Sequence, residues 1–154
     1  MKLPLIVFLI FISQTIFAKK IEGNIFQSYG VMISFMGEKI SFFDACINDK
    51  KQLTEVKNAL KNEFVLWKNR HTYADQIRNH FNAKLNENYP PEEVNKFLSS
   101  AKASIDAIDK TVKKDLNTNE LGCSYFLLWV SNKKNDFNVL FKNDYINLIN
   151  FLQK

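Results

Sequence analysis

Cysteine is nearly absent from this chain: its 154 residues hold two, Cys46 and Cys123. Neither belongs to a Cys-x-x-Cys arrangement, which sets aside a thioredoxin-type redox pair. With only His71 and His80 to join them, the paired short spacings of a zinc site are missing too. Glycine numbers four, and Asn-Gly or Asp-Gly turns are few, which argues against a sheet-rich fold. No block of like charges reaches the length of a nucleic-acid-binding stripe, so the scattered lysines read as a solvated surface and no nucleic-acid partner is expected. Asparagine is plentiful, yet no Asn-x-Ser/Thr acceptor occurs.

Long apolar runs are also scarce, with one short exception at the start. Met1-Lys2 supplies a positive charge, Leu3 to Ile12 is apolar, Ser13-Gln14-Thr15 interrupts, and Ile16-Phe17-Ala18 ends on a small residue before Lys19-Lys20. That order is the layout of a cleavable export signal, and a membrane-spanning helix needs about 20 apolar residues. Residues 1–18 are therefore expected to be removed after Ala18, leaving 136 of the 154 residues, 19–154, as one domain. The lost segment carries one lysine and no acid, so the net charge falls from +5 to +4. The product is expected to be soluble, exported to a periplasm or beyond the cell, without a membrane span. In such an oxidising place two thiols in one small domain are expected to bridge.

Helical periodicity fills most of what remains. From Leu53 the apolar positions Val56, Leu60, Phe64, Trp67, Ala74, Ile77, Phe81 and Leu85 keep the spacing of one helix face, which predicts a single long amphipathic helix. Tyr89-Pro90-Pro91 closes a short loop, and Glu92-Glu93 suit the first turn of the next helix. That helix carries Val94, Phe97, Ala101, Ile105, Ile108, Val112 and Leu116 on its stripe. Leu121 to Val130 reads as a short apolar helix holding Cys123. Ser131 to Asp136 reads as a turn, and Phe137, Phe141, Tyr145, Leu148 and Leu152 mark a last helix. Residues 22–48 keep a helical rhythm interrupted by Gly30 and Gly37: helix is favoured, bent or broken at Gly37, with a short strand over Val31–Phe35 as the alternative. The expected architecture is all-α, an irregular bundle of about five helices in which residues 52–116 form a long antiparallel hairpin. A Cys46–Cys123 bridge would enclose that hairpin, and chain entropy gives a loop between cysteines 77 positions apart about 4 to 5 kcal/mol.

Trp67, Asn69, Arg70, His71, Tyr73 and Asp75 crowd two turns of the long helix and form the candidate binding surface, since interfaces favour Trp, Tyr and Arg. His71 with Asp75 reads either as an oriented base or as a boundary histidine held by an i,i+4 contact, the second being preferred. Arg70 is expected to pair with an acid on a neighbouring helix, Asp44 being the candidate. No nucleophile, second acid or glycine-rich loop completes a catalytic set, so no catalytic residue and no cofactor are assigned and an enzyme is not expected.

Phe42-x-x-Ala45-Cys46, followed by Trp67-x-x-Arg70 and then Cys123, resembles a group of small, secreted, helical bacterial proteins of unknown function. In that group a first cysteine precedes a Trp-x-x-Arg-Asn helix and a second lies towards the C-terminus; this chain departs at His71, where the pattern has Asn. The resemblance implies a periplasmic helical body with one bridge and implies no activity. The leading functional expectation is a protein-binding domain of the inhibitor or toxin-immunity type. A carrier of a small hydrophobic ligand is the alternative, suggested by 14 phenylalanines, and a hydrolase using His71 or Asp75 comes third.

Overall fold

The structure, a computed structural model, describes residues 21–117 and 122–153. The expected export signal lies outside them. The described residues form seven α-helices and one 3-10 turn, with no strand. They are α1 (Gly23–Asn48), α2 (Thr54–Arg70), α3 (Tyr73–Asn88), α4 (Pro91–Asn117), α5 (Gly122–Ser131), the 3-10 turn Lys133–Asn135, α6 (Phe137–Leu140) and α7 (Lys142–Leu152).

Helix α1 is the axis of the bundle. It runs unbroken through Gly30 and Gly37, neither of which has a positive φ, so the strand alternative for Val31–Phe35 falls away. A methyl group at Gly37 would sit 3.5 Å from Ile105 of α4, an ordinary contact that places the two backbones close together. Buried side chains line α1 from Ile25 to Cys46 on several faces, because α4, α7, α2 and α5 all pack around it. The long hairpin keeps its tip, where α3 and α4 meet across Tyr89-Pro90 and Phe81 lies 5.9 Å from Phe97. The chief partner of α4 is nevertheless α1.

Two expected helices are each two. The stripe from Leu53 to Leu85 is interrupted at His71-Thr72, where one side chain takes over a main-chain hydrogen bond. In a continuous helix the Trp67 carbonyl would accept the His71 backbone N–H. Here it accepts the His71 ring nitrogen Nδ1 at 2.8 Å, while the His71 N–H turns to the Lys68 carbonyl at 3.0 Å. The ring has replaced a main-chain bond, and the chain bends. Likewise the last helix breaks at Phe141, whose backbone (φ −121°, ψ 50°) separates α6 from α7.

The core is aromatic. Phe26 meets Phe81 and Phe97 edge-on at 5.2 and 5.6 Å, and Tyr29 stacks on Phe81 at 3.9 Å. Phe43 lies 4.8 Å from Phe64, 5.7 Å from Trp67 and 4.9 Å from Phe126. Such ring pairs contribute about 0.5–1.5 kcal/mol each beyond their buried area. A polar link joins α1 to α7: the buried Ser28 hydroxyl donates to Asp144 at 2.7 Å and accepts from Asn147 at 3.3 Å. Cys46, in the last turn of α1, is bonded to Cys123, in the first turn of α5, with 5.5 Å between their Cα atoms.

Candidate functional site

The residues crowded around position 70 do come together, but they point inward. Trp67 is 2 % exposed and His71 4 %, so neither offers a partner any surface. The Trp67 ring lies between Phe43 and the His71 imidazole, the latter at 4.5 Å. Asn69 and Asp75 are exposed, and Asp75 pairs with Arg78 rather than orienting His71. Tyr73 is half-buried, edge-on to Tyr145 at 4.9 Å, and burial beside Tyr145 and Asp136 pushes its phenol well above the usual range.

Arg70 ends α2 and fastens it to the segment after α5. Its Nε donates to Asp136 Oδ2 at 2.9 Å, and its Nη2 donates to Glu63 Oε1 and to the Val130 carbonyl, both at 3.0 Å. Burial works against the charge, but the hydrogen bonds to Asp136 and Glu63 outweigh it and hold the guanidinium above its ordinary value. Asp44 is not the partner: it is exposed near the end of α1, where Asn48 donates to it at 2.8 Å. The acid that meets Arg70 is the buried Asp136, set in the Asn-Lys-Lys-Asn-Asp run that the sequence presents as a polar turn.

His71 completes this clasp. The Trp67 carbonyl can only accept, so Nδ1 carries the proton; the Phe137 backbone N–H can only donate, so Nε2, 3.3 Å away, is bare. The ring is thus neutral, with both nitrogens engaged. Burial chiefly, helped by the Arg70 charge, pulls its pKa below 6.5 against the opposing pull of the Trp67 carbonyl and Asp136. Asp136 Oδ1 lies 3.9 Å from Nε2, within reach of a protonated ring after a small shift. Through this group α2, α5 and α6 are held as one corner.

Two further features escaped the sequence reading. Lys39, 5 % exposed, lies with its ammonium 4.2 Å from the Trp129 ring centre, 5.5 Å from Phe35 and 5.7 Å from Phe42, with Glu38 at 3.2 Å. Burial pulls its pKa down and Glu38 partly restores it. The clue was its position on the buried stripe of α1, four residues from Phe35 and from Phe43. On the outside, Tyr125 and Leu128 are 63 % and 71 % exposed on the side of α5 opposite Cys123, Phe126 and Val130.

His80 lies apart, edge-on to Phe151 at 4.9 Å, in the wall of a cleft of about 380 Å³ between the start of α1, α3 and α7. Among the described residues no group of three or more His, Cys, Asp or Glu side chains could hold a metal ion, and no helix is long and apolar enough to cross a membrane. Comparison with protein-family models, with curated proteins and with solved structures finds no match to this chain.

Proposed function

We propose that this chain is an exported binding protein, of the kind that inhibitors and immunity proteins represent, and that it meets another protein through the outward side of α5. The observation that carries the reading is the exposure of Tyr125 and Leu128 on a helix stapled at its first turn by the disulfide and tied at its last by Arg70. Large apolar side chains on a pre-organised element lose little entropy on docking, and Tyr is enriched at interfaces. A partner with an apolar patch of its own suits that face. The disulfide favours an oxidising compartment, which is where the expected signal would send the chain.

The test is a photo-crosslinking residue at Leu128, with the same group at the exposed Lys102 of α4 as control. A single crosslinked protein from Leu128 alone, whose complex with the purified chain is lost in Leu128→Asp at unchanged helix content, supports the reading. Equal crosslinking at both positions, or none, overturns it.

A further inference from the structure

We propose that the cleft between the start of α1, the end of α3 and α7 is a binding site for a small neutral ligand dense in hydroxyl groups, a sugar of one or two rings. Its volume, about 380 Å³, falls at the small end of the ~300–1,000 Å³ range of small-molecule sites. Clefts between the helices of a bundle are also where such sites are usually built.

The chemistry of the wall selects the ligand. Four carboxamides line it, from Asn24, Asn88, Asn147 and Asn150, on three helices. A carboxamide both donates and accepts, as a hydroxyl does, so an array of them matches neighbouring hydroxyls better than it matches an ion or a hydrocarbon. Asn147 is already pinned through its amide to Ser28, which Asp144 fixes in turn, and the Asn88 amide donates to the Lys84 carbonyl at 2.8 Å. The carboxamides of Asn24 and Asn150 are exposed. His80 borders the cleft through its ring, while its Nε2 is shielded from solvent and is not among the groups that meet the ligand. Phe151 supplies an apolar wall, held edge-on by His80.

Charge argues in the same direction. Among the described residues of the wall the one lysine, Lys84, donates to Glu87 at 3.1 Å, and Glu22 brings a carboxylate to the cleft. The described residues of the wall therefore bring no surplus of positive charge that would favour an anion. A purely apolar ligand would have to desolvate the exposed carboxamides of Asn24 and Asn150 without replacing their hydrogen bonds to water, a cost on the order of 1–3 kcal/mol per group.

The site is independent of the α5 face, so either proposal can fail without the other. The test is an amide NMR titration of the purified chain with glucose, N-acetylglucosamine and maltose separately, and with sodium phosphate and sodium acetate as anion arms. Each is taken to ~10 mM, ten times a millimolar Kd. A sugar is expected to shift amides of residues 21–25, 80–88 and 147–151. Affinity should fall at least about tenfold in the double variant Asn24→Leu/Asn150→Leu, and stay unchanged in Leu128→Asp. Both asparagines are exposed, and circular dichroism checks that the fold is kept. No shift with any sugar, the same affinity in the double variant, shifts centred elsewhere, or shifts with the anions alone would each overturn the assignment.

Discussion

Arg70 and His71 are adjacent in sequence and share one acid, yet they respond differently to change. Arg70 spreads its planar guanidinium over Asp136 through Nε and over Glu63 and the Val130 carbonyl through Nη2, so Arg70→Ala leaves a buried carboxylate without its counter-charge. Breaking a buried pair in this way costs about 3–5 kcal/mol, and the low end applies because the arginine keeps some solvent contact. Arg70→Lys retains the charge and loses the planar guanidinium, so it should fall between wild type and alanine in a urea titration. His71 contributes through its neutral form. Its folded pKa is lowered, so the unfolded chain takes up the proton first on acidification. The contribution is complete above about pH 6.5 and is lost as the pH falls through the folded value. Urea midpoints measured between pH 7.5 and 5 should therefore drop for the wild type and drop distinctly less for His71→Asn; parallel slopes would remove His71 as the cause. At this scale the sequence placed Trp67, Arg70 and His71 close together, but it could not show that Trp67 and His71 face inward. An amphipathic stripe reports which side of a helix is buried, while a tryptophan on that stripe looks the same whether it anchors a core or a partner.

Element by element, helix type was legible and helix ends were not. Periodicity reported α4 from Val94 to Leu116 almost as it stands, because Pro90-Pro91 and Asn117 bound it with recognisable chemistry. The breaks at His71 and Phe141 left no such mark. Trp67 and Ala74 are seven residues apart, two helical turns, so the stripe reads through the bend. Gly30 and Gly37 suggested an interruption and make none, because burial of α1 overrides their weak helix preference. It follows that Gly37→Ala should be accepted: its Cβ would touch Ile105 at ordinary distance, and the gain in helix propensity is about 0.5–1 kcal/mol. Thermal melting with an unchanged or raised midpoint is the expected result, and a fall of several degrees would show that α1 and α4 are packed more tightly than the 3.5 Å contact implies.

For the whole molecule the disulfide is the dominant constraint. The two cysteines lie 77 positions apart, a loop for which the chain-entropy estimate is about 4–5 kcal/mol, comparable with the total stability of a small domain. Cys46→Ala/Cys123→Ala should lower the urea midpoint by a corresponding amount without abolishing helix content at low temperature, which circular dichroism would follow. The bridge was readable because few cysteines in an expected oxidising setting leave one pairing. The order of packing was not: a stripe says that a helix has a buried side, and gives no address for what lies against it, so the central place of α1 appears only in three dimensions.

The bend at His71 has one more consequence, at the level of the chain's fate. With alanine at 71 nothing competes for the Trp67 carbonyl, and α2 and α3 are free to fuse into a rod of about 35 residues, roughly 50 Å long. A straight rod would carry the second half of the chain away from α1, and the same half of another copy could cover the aromatic side chains so exposed. Cys46 would then find Cys123 on a neighbour. The expected outcome for His71→Ala is then a covalent dimer on a non-reducing gel that disappears with reductant, and a single-chain band under both conditions would show that the imidazole does not decide how the chain closes.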